Sequence, residues 1–405
     1  MNASSLRTRL GNQFANTGVL LAAILLSVIA ARATTPICYW DTNGTDDGAG
    51  NPPSGVWDYS TPNWTTDSGG DATPFAYPGR AHVVFAATGG AEWDETFDYT
   101  VDVDGVVQVS NIYFQDGNCT MTNDYGYLDK DTPYIWVGND GQMATVYSSF
   151  ASAAGAANGI TKYGYGTLVL GGTNTYSGPT TIEGGTLRLG APQVLPPAST
   201  LVLAGGDTRT DDPLGNSGYS TGSTTFDTGG YSQTLGPLSL TGPYTSLLHA
   251  IDFGNGASAL AFADSHSQNW NGITLRIANY TSRVDSLRFG TNSAGLTATQ
   301  LGLIRFVDYL DVPGKIDNNG YVTPVPGPTV SVSLTEAGGV MLNWNAIVGR
   351  TYNIQCKTNL NQPSWNADFT TDVVATNAMT SFTDTFNPSS RRFYRVGLRS
   401  VSVGD

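Results

Sequence analysis

The chain is short of charge. Of 405 residues, 13% are Asp, Glu, Lys or Arg, about half the usual share for a soluble domain. Lysine is almost missing, occurring only at 130, 162, 315 and 357. With no Lys/Arg cluster and a formal net charge of −14, sequence-independent binding to nucleic acid is excluded, because it needs basic patches. Straight-chain helix formers are scarce, which excludes an all-α protein. Alternating amphipathic helical segments are absent, which excludes a doubly wound α/β enzyme. The three histidines, His82, His249 and His266, stand apart without H-x-H or H-E-x-x-H spacing. No catalytic histidine and no metal ligand set is expected from them. Cys38, Cys119 and Cys356 are too few and too widely spaced for a disulfide scaffold. A Cys38–Cys119 bridge and three unconnected small hydrophobes both remain open.

Long apolar runs are absent too. The longest, Val19 to Ala31, covers 13 residues broken by Ser27, short of the ~20 needed to span a bilayer. Arg7 and Arg9 precede it and Ala31-Arg32-Ala33 follows it, the pattern of an export signal cleaved before Thr34. An uncleaved anchor is the other reading. Loss of residues 1–33 removes three arginines and no acid, taking the formal charge from −14 to −17. The mature chain is expected to have no transmembrane helix, and its acidity keeps a glycine-rich β-protein soluble.

Glycine is abundant, at 49 residues, and so are Thr, Ser and Asn. One motif recurs: an apolar-x-apolar pair bounded by Gly, Ala or Asn. It reads Thr167-Leu-Val-Leu-Gly171, Thr186-Leu-Arg-Leu-Gly190, Thr200-Leu-Val-Leu-Ala204 and Pro237-Leu-Ser-Leu-Thr241. Looser copies start at Leu260, Leu275 and Leu287. First apolar positions fall at 168, 187, 201, 238, 260, 275 and 287, and the gap of 37 suggests two periods with one copy degraded. Period 2 puts both apolar residues of a copy on one face. So short a strand cannot bury that face alone, but stacked copies can. Leu168, Leu170, Leu187, Leu189, Leu201 and Leu203 are expected to face inward. Residues from about 80 to 323 are expected to form one rod of roughly a dozen coils, near 60 Å long.

Residues 160–190 read ITKYGYGTLVLGGTNTYSGPTTIEGGTLRLG. With Lys162, Gly164 to Leu168, Asn174 to Gly178, Thr180 to Ile182 and Gly185 to Gly190, this stretch resembles the autotransporter-associated β-strand repeat. The resemblance implies a right-handed β-helix in a secreted bacterial passenger protein. Flanking stretches resemble neighbours of that repeat in exported bacterial proteins: Trp40-Asp-Thr-Asn-Gly and Gly55-Val-Trp-Asp before it, Leu260 through Phe306 after it. A C-terminal outer-membrane barrel is not expected, because residues 330–405 are too few for its many ~10-residue strands.

After the stiff Pro324-Val-Pro-Gly-Pro328 break come β-runs at Val330–Leu334, Val340–Trp344, Tyr352–Lys357, Val373–Val374, Ser381–Thr385 and Arg392–Leu398. Their spacing predicts a small β-sandwich of fibronectin type III or immunoglobulin-like kind, with Trp344 and Tyr394 as core aromatics. The fold class is therefore all-β: a β-solenoid followed by a β-sandwich. The expected division is 1–33 signal peptide, 34–158 N-terminal cap and first coils, 159–323 repeat solenoid, 324–329 linker and 330–400 sandwich.

Chemistry is sparse. Gly218-Tyr-Ser-Thr-Gly222 matches a nucleophile elbow in letters only, without the strand and helix that the motif needs. Asp41-Thr-Asn43-Gly-Thr-Asp46-Asp47 resembles the start of a calcium loop, but its twelfth position is Pro52 rather than a bidentate Glu. Asp102/Asp104 and Asp317-Asn-Asn319-Gly are thinner versions, and solvated turns account for all three. A β-helical hydrolase needs paired carboxylates, and only Asp211-Asp212 is paired in the repeat region. A lyase needs a basic cluster, and only Lys162 and Arg188 are present there. Trp57, Tyr59, Trp64, Phe75 and Tyr77 crowd the N-terminal region, either exposed for sugar stacking or buried as a cap; the cap is favoured. Arg391, Arg392 and Arg395 form a local positive excess. The expected function is an exported, non-catalytic structural or surface-display protein with no catalytic, cofactor or metal residues. It would be extracellular or cell-surface, or else periplasmic, with an envelope or extracellular polysaccharide as partner. A polysaccharide-active enzyme and a carbohydrate-binding or adhesion module are the alternatives.

Overall fold

The computed structural model describes residues 35–85, 97–123, 127–130, 134–152, 158–206, 214, 222–361, 364–365, 369–385 and 392–399. The export-signal segment, Asp211-Asp212, most of the Gly218–Gly222 motif and Arg391 lie outside the described residues.

The apolar-x-apolar copies form short strands that stack in parallel. Ile160–Tyr163, Thr180–Ile182, Leu201–Leu203 and Leu238–Leu240 follow one another in a first sheet. Met143–Val146, Thr167–Leu170, Gly185–Leu189 and Thr224–Asp227 do so in a second. The chain alternates between these sheets, placing one strand in each before advancing to the next layer. From Gln233–Leu235 onward a third sheet joins, through Ala259–Phe262 and Ser286–Phe289. Stacking begins earlier than residue 80, since Ile37–Trp40 already pairs in parallel with Ala81–Phe85. The second sheet has ten strands, which at ~4.8 Å spacing span about 45 Å, shorter than expected.

The core lies between the sheets. Leu168, Leu170, Leu187, Leu201 and Leu203 are completely buried, and Leu189 is 1% exposed. Register puts like on like: Leu168 on Leu187, Leu170 on Leu189, Leu201 on Leu238. Each buried Leu contributes roughly 1.5–3 kcal/mol by its removal from water. The 37-residue gap does hold degraded copies: Leu201 pairs directly with Leu238 in the first sheet, and between them lie Thr224–Asp227 and Gln233–Leu235 on the other two sheets, each with one polar residue, Thr224 or Gln233, at a buried inward position.

The first sheet at its start and the third at its end are closed by antiparallel strands. Trp64–Thr65 pairs antiparallel with the first strand, and the hairpin Gly314–Ile316/Tyr321–Pro324 closes on Ser286–Phe289. Such ends block edge-to-edge growth. At the first end, Trp40, Trp57, Trp64, Tyr77 and Phe85 form a buried aromatic plug with ring centroids 5.0–5.7 Å apart. The cap reading of these aromatics therefore holds. Tyr59 is the exception, exposed but with its hydroxyl accepting from the Gln108 N–H at 2.9 Å. Cys38, Cys119 and Cys356 are free and buried, and the Cys38–Cys119 bridge is not formed.

The C-terminal strands lie where their sequence places them: Val330–Leu334, Val340–Asn345 and Met379–Asp384 in one antiparallel sheet, Thr351–Lys357, Phe369–Val374 and Phe393–Leu398 in another. They share a core of Leu342, Trp344, Tyr352, Ile354 and Ala375, with Tyr394 packed at its side. Arg392 is not a free surface cation: its Nη1 contacts the Asp384 carboxylate at 2.5 Å, inside a nearly buried pair that Tyr394 joins at 2.8 Å. These sheets touch the last parallel layers. Arg350 donates to the carbonyls of Leu310 and Asp311 at 2.8 and 3.1 Å, and Ile347 and Leu398 pack against the main core.

Two expectations follow. Leu187→Ala should lower stability by about 2–5 kcal/mol, read from the urea midpoint, and Leu187→Asp should abolish the cooperative transition. Parent-like melting of Leu187→Asp would mean that residue 187 is not in the core. A chain ended at Pro328 loses the Arg350, Ile347 and Leu398 contacts and should self-associate in sedimentation velocity. A monomer of unchanged stability would show that the C-terminal sheets protect nothing.

Candidate functional site

The residues of the 30-residue motif turn inward or into corners. Lys162 occupies an inward position between Ile135 and Ile182 and is completely buried. Its Nζ donates to the carbonyls of Tyr163, Gly164 and Gly184 at 2.8, 2.9 and 3.1 Å. Burial pushes its pKa well below the usual lysine value. A lysine held this way fastens a corner and cannot meet a substrate. Asn174 joins three layers: its Oδ1 accepts from the Phe150 N–H, and its Nδ2 donates to the carbonyls of Gly172 and Val194. Tyr176, Thr180 and Ser199 form a buried hydroxyl chain at 2.7 and 2.9 Å. Gly164, at φ +79°, is required because a Cβ there would lie 2.0 Å from the Val137 carbonyl oxygen.

The histidines do not meet. His249 is buried, with Nδ1 2.9 Å from the Thr224 hydroxyl and Nε2 3.1 Å from the Thr241 carbonyl. The carbonyl can only accept, so Nε2 carries the proton and Nδ1 accepts. His266 and Asp264 pair at 2.7 Å on an exposed turn. His82 faces outward on the first sheet. Among the described residues, no group of three or more His, Cys, Asp or Glu is placed to hold a metal. Asp317 accepts from the N–H groups of Asn319 and Tyr321, a self-capped turn. A cleft of about 540 Å³ beside the end hairpin is lined by Tyr309, Lys315, Asp317 and the Pro324–Gly327 stretch, and brings no reactive set together.

The two large sheets differ on their outer faces. On the first, Tyr39, Val84, Tyr113, Trp136 and Tyr163 stack in register. Yet Val84, Tyr113, Trp136 and Tyr163 are only 0–6% exposed, with Leu214 packed on them. This ladder is a second core, which sequence reading missed. Strands such as His82-Val-Val-Phe85 and Tyr134-Ile-Trp-Val137 are apolar at nearly every position, the mark of burial on both faces.

Among the described residues, the outer face of the second sheet is mostly polar, interrupted by Met143 and Val169. Thr100, Thr120 and Thr145 are successive register partners. Thr167, Thr186 and Thr225 form a parallel run one column over. Thr122 and Asn118 flank them. Tyr147, nearly half exposed, lays its ring over Gly171, where a Cβ would come within 2.4 Å of its Cδ1. Further along, Arg188 pairs with Asp227 at 3.5 Å, and Asp227 stacks on Asp252 in the next layer. This carboxylate pair was not evident from sequence, because 25 residues separate its members. Burial raises the Asp227 pKa, with the Gly229 N–H and Arg188 opposing. Asp227 accepts from Gly229 at 2.7 Å and Asp252 from Gly254 at 2.8 Å, so both carboxylates cap corner amides.

Comparison with known proteins agrees with the winding motif. A family model described as Passenger-associated-transport-repeat matches residues 160–189, so the chain carries one such repeat. The Adhesin BmaC autotransporter of Brucella suis biovar 1 (strain 1330) is 31% identical over 188 residues. That alignment covers 46% of this chain and 5% of the adhesin. No solved structure matches significantly.

One pH dependence follows from His249. Burial lowers its pKa below 6.5, so on acidification the unfolded chain takes up the proton first. Its contribution is complete above about pH 6.5 and is lost as pH falls toward the folded-state value, by at most about 1.4 kcal/mol per pH unit. Thermal melts from pH 7.5 to 5 should show this decline, and His249→Gln should flatten it.

Proposed function

We propose that this chain is an exported, surface-displayed and non-catalytic β-solenoid with a C-terminal β-sandwich of fibronectin type III or immunoglobulin-like kind. Its partner is a neutral polysaccharide of the cell envelope or extracellular matrix, held on the uncovered face of the second sheet. In this reading residues 1–33 direct export, 34–323 form the rod and 330–400 close and attach it. The transport repeat and the similarity to an autotransporter adhesin support export and display. Alternation of parallel strands between sheets supports the solenoid winding. The observation that carries the binding assignment is the in-register threonine array beside Tyr147, the described outer face that is both regular and open to solvent. Parallel strands at ~4.8 Å spacing present hydroxyls on a repeat comparable to that of a sugar chain, and an exposed tyrosine offers an amphipathic stacking surface.

The enzymatic alternative rests on Asp227 and Asp252, which face outward from adjacent layers as a hydrolase pair would. Against it, both carboxylates are engaged by corner amides, on a sheet face rather than in a cleft.

Affinity electrophoresis against neutral and acidic glycans, with product analysis, separates these readings. Retention on a neutral glycan without released ends is expected. Tyr147→Ala and the pair Thr145→Val/Thr167→Val should each weaken it roughly tenfold, equivalent to about 1.4 kcal/mol. Released reducing ends that vanish in Asp227→Asn would establish the enzyme. No retention on any glycan would remove the binding assignment.

A further inference from the structure

The loop 41–50 follows the first strand and carries Asp41, Asn43, Asp46 and Asp47. From sequence it is an acidic turn without the terminal Glu of a calcium loop. The structure adds a second observation. Asp41 is completely buried. Its Oδ1 accepts from the Asn43 N–H at 3.1 Å, while its Oδ2 is buried with no hydrogen-bond partner. Asn43 Nδ2 donates to the Asp47 carbonyl at 3.2 Å, which fixes the amide, and its Oδ1 is also buried without a partner. Asp41 Oδ2 and Asn43 Oδ1, two residues apart in one loop, thus make no hydrogen bond of normal geometry, although the Gly44 N–H, like that of Asn43, faces the Asp41 carboxylate. Asp41 makes no ion pair among those of the described residues. Burial raises its pKa, only partly offset by the N–H groups of Asn43 and Gly44.

The loop is held by its surroundings rather than by its own acids. The Asp41 N–H donates to the Asn63 carbonyl at 3.0 Å, Thr42 N–H and Oγ1 both donate to the Ala49 carbonyl, and the Gly48 N–H donates to Gly69. A buried acceptor without a donor is costly, and a hard cation ligated by oxygens would remove that cost. Asp46 and Asp47 are exposed on the same loop and add negative potential to it.

We propose that loop 41–50 is a calcium site, with Asp41 Oδ2 and Asn43 Oδ1 as its side-chain ligands and loop carbonyls and water completing the shell. One carboxylate and one amide make a weak site, of the class that extracellular modules fill at Kd on the order of 10⁻⁴–10⁻³ M. Magnesium, which demands near-ideal octahedral geometry and gives up water reluctantly, suits it poorly. The site is independent of the glycan assignment. Its role would be to fix the loop beside the aromatic plug.

Terbium luminescence tests this on the full chain, because Trp40 is adjacent to Asp41 and buried in that plug. Tryptophan excitation should give sensitised terbium emission that millimolar calcium displaces and equal magnesium does not. Asp41→Asn and Asn43→Ala should each weaken terbium about tenfold or more, whereas Asp46→Asn/Asp47→Asn should change it less than about threefold. Calcium should also raise the melting temperature of the parent and not of Asn43→Ala. Absence of sensitised emission overturns the site. So does emission that survives in both Asp41→Asn and Asn43→Ala, which would place the cation elsewhere on the acidic surface. Should Asp41→Asn fail to fold by circular dichroism, Asn43→Ala decides alone.

Discussion

In-register parallel stacking is the constraint on which the rest of this molecule depends. Each strand takes its backbone partners from the layers on either side, so residues fall into columns, and it is the inward columns that must stay apolar or satisfy their polar members locally. Inward columns are aliphatic, as in Leu168 on Leu187 and Leu201 on Leu238. A polar residue in such a column needs partners within its own corner. Lys162 shows the solution: its ammonium leaves the column of Ile135 and Ile182 and is taken up by three carbonyls at the bend. A charge in a dry interior is tolerated only with hydrogen bonds of that kind.

Corners carry the second half of the constraint. A short strand has few backbone bonds of its own, so the polar groups of each bend must be met by the neighbouring bends. Asn174 does this for three layers at once, and the Tyr176–Thr180–Ser199 chain does it for two. Ends cannot be met that way, since one neighbour is missing. The molecule places an antiparallel strand at the start of the first sheet and at the end of the third, with an aromatic plug at one end and the Arg350 contacts at the other.

How much of this was legible depended on whether a signal was local. The inward leucines and the six C-terminal strands are period-2 patterns within a few residues, and they stand where the sequence puts them. The copies inside the 37-residue gap, Thr224–Asp227 and Gln233–Leu235, escaped the apolar-x-apolar pattern because one inward position of each is polar, and a linear spacing cannot say that the second of them opens a third sheet. The outer ladder of Tyr39, Tyr113, Trp136 and Tyr163 was hidden for a related reason. Each strand looks merely hydrophobic, and only register aligns the rings. Asp227 and Asp252 are 25 positions apart in sequence and adjacent in space. The orphaned oxygens of Asp41 and Asn43 were beyond sequence reading altogether, because burial and the direction of an amide are properties of the folded loop.

The same geometry explains why a strong repeat match says so little about chemistry. Lys162, Gly164, Leu168, Asn174, Tyr176, Thr180, Ile182, Leu187 and Leu189 are all spent on winding: column, bend or bridge. A chain can hold every one of them and present any outer surface, because alternation leaves each second strand position unconstrained by the core. Thr145, Tyr147, Thr167, Thr186 and Arg188 occupy such positions. Any surface chemistry particular to a molecule of this construction therefore lies in the columns that the motif does not specify, and relatives that share the winding need not share it.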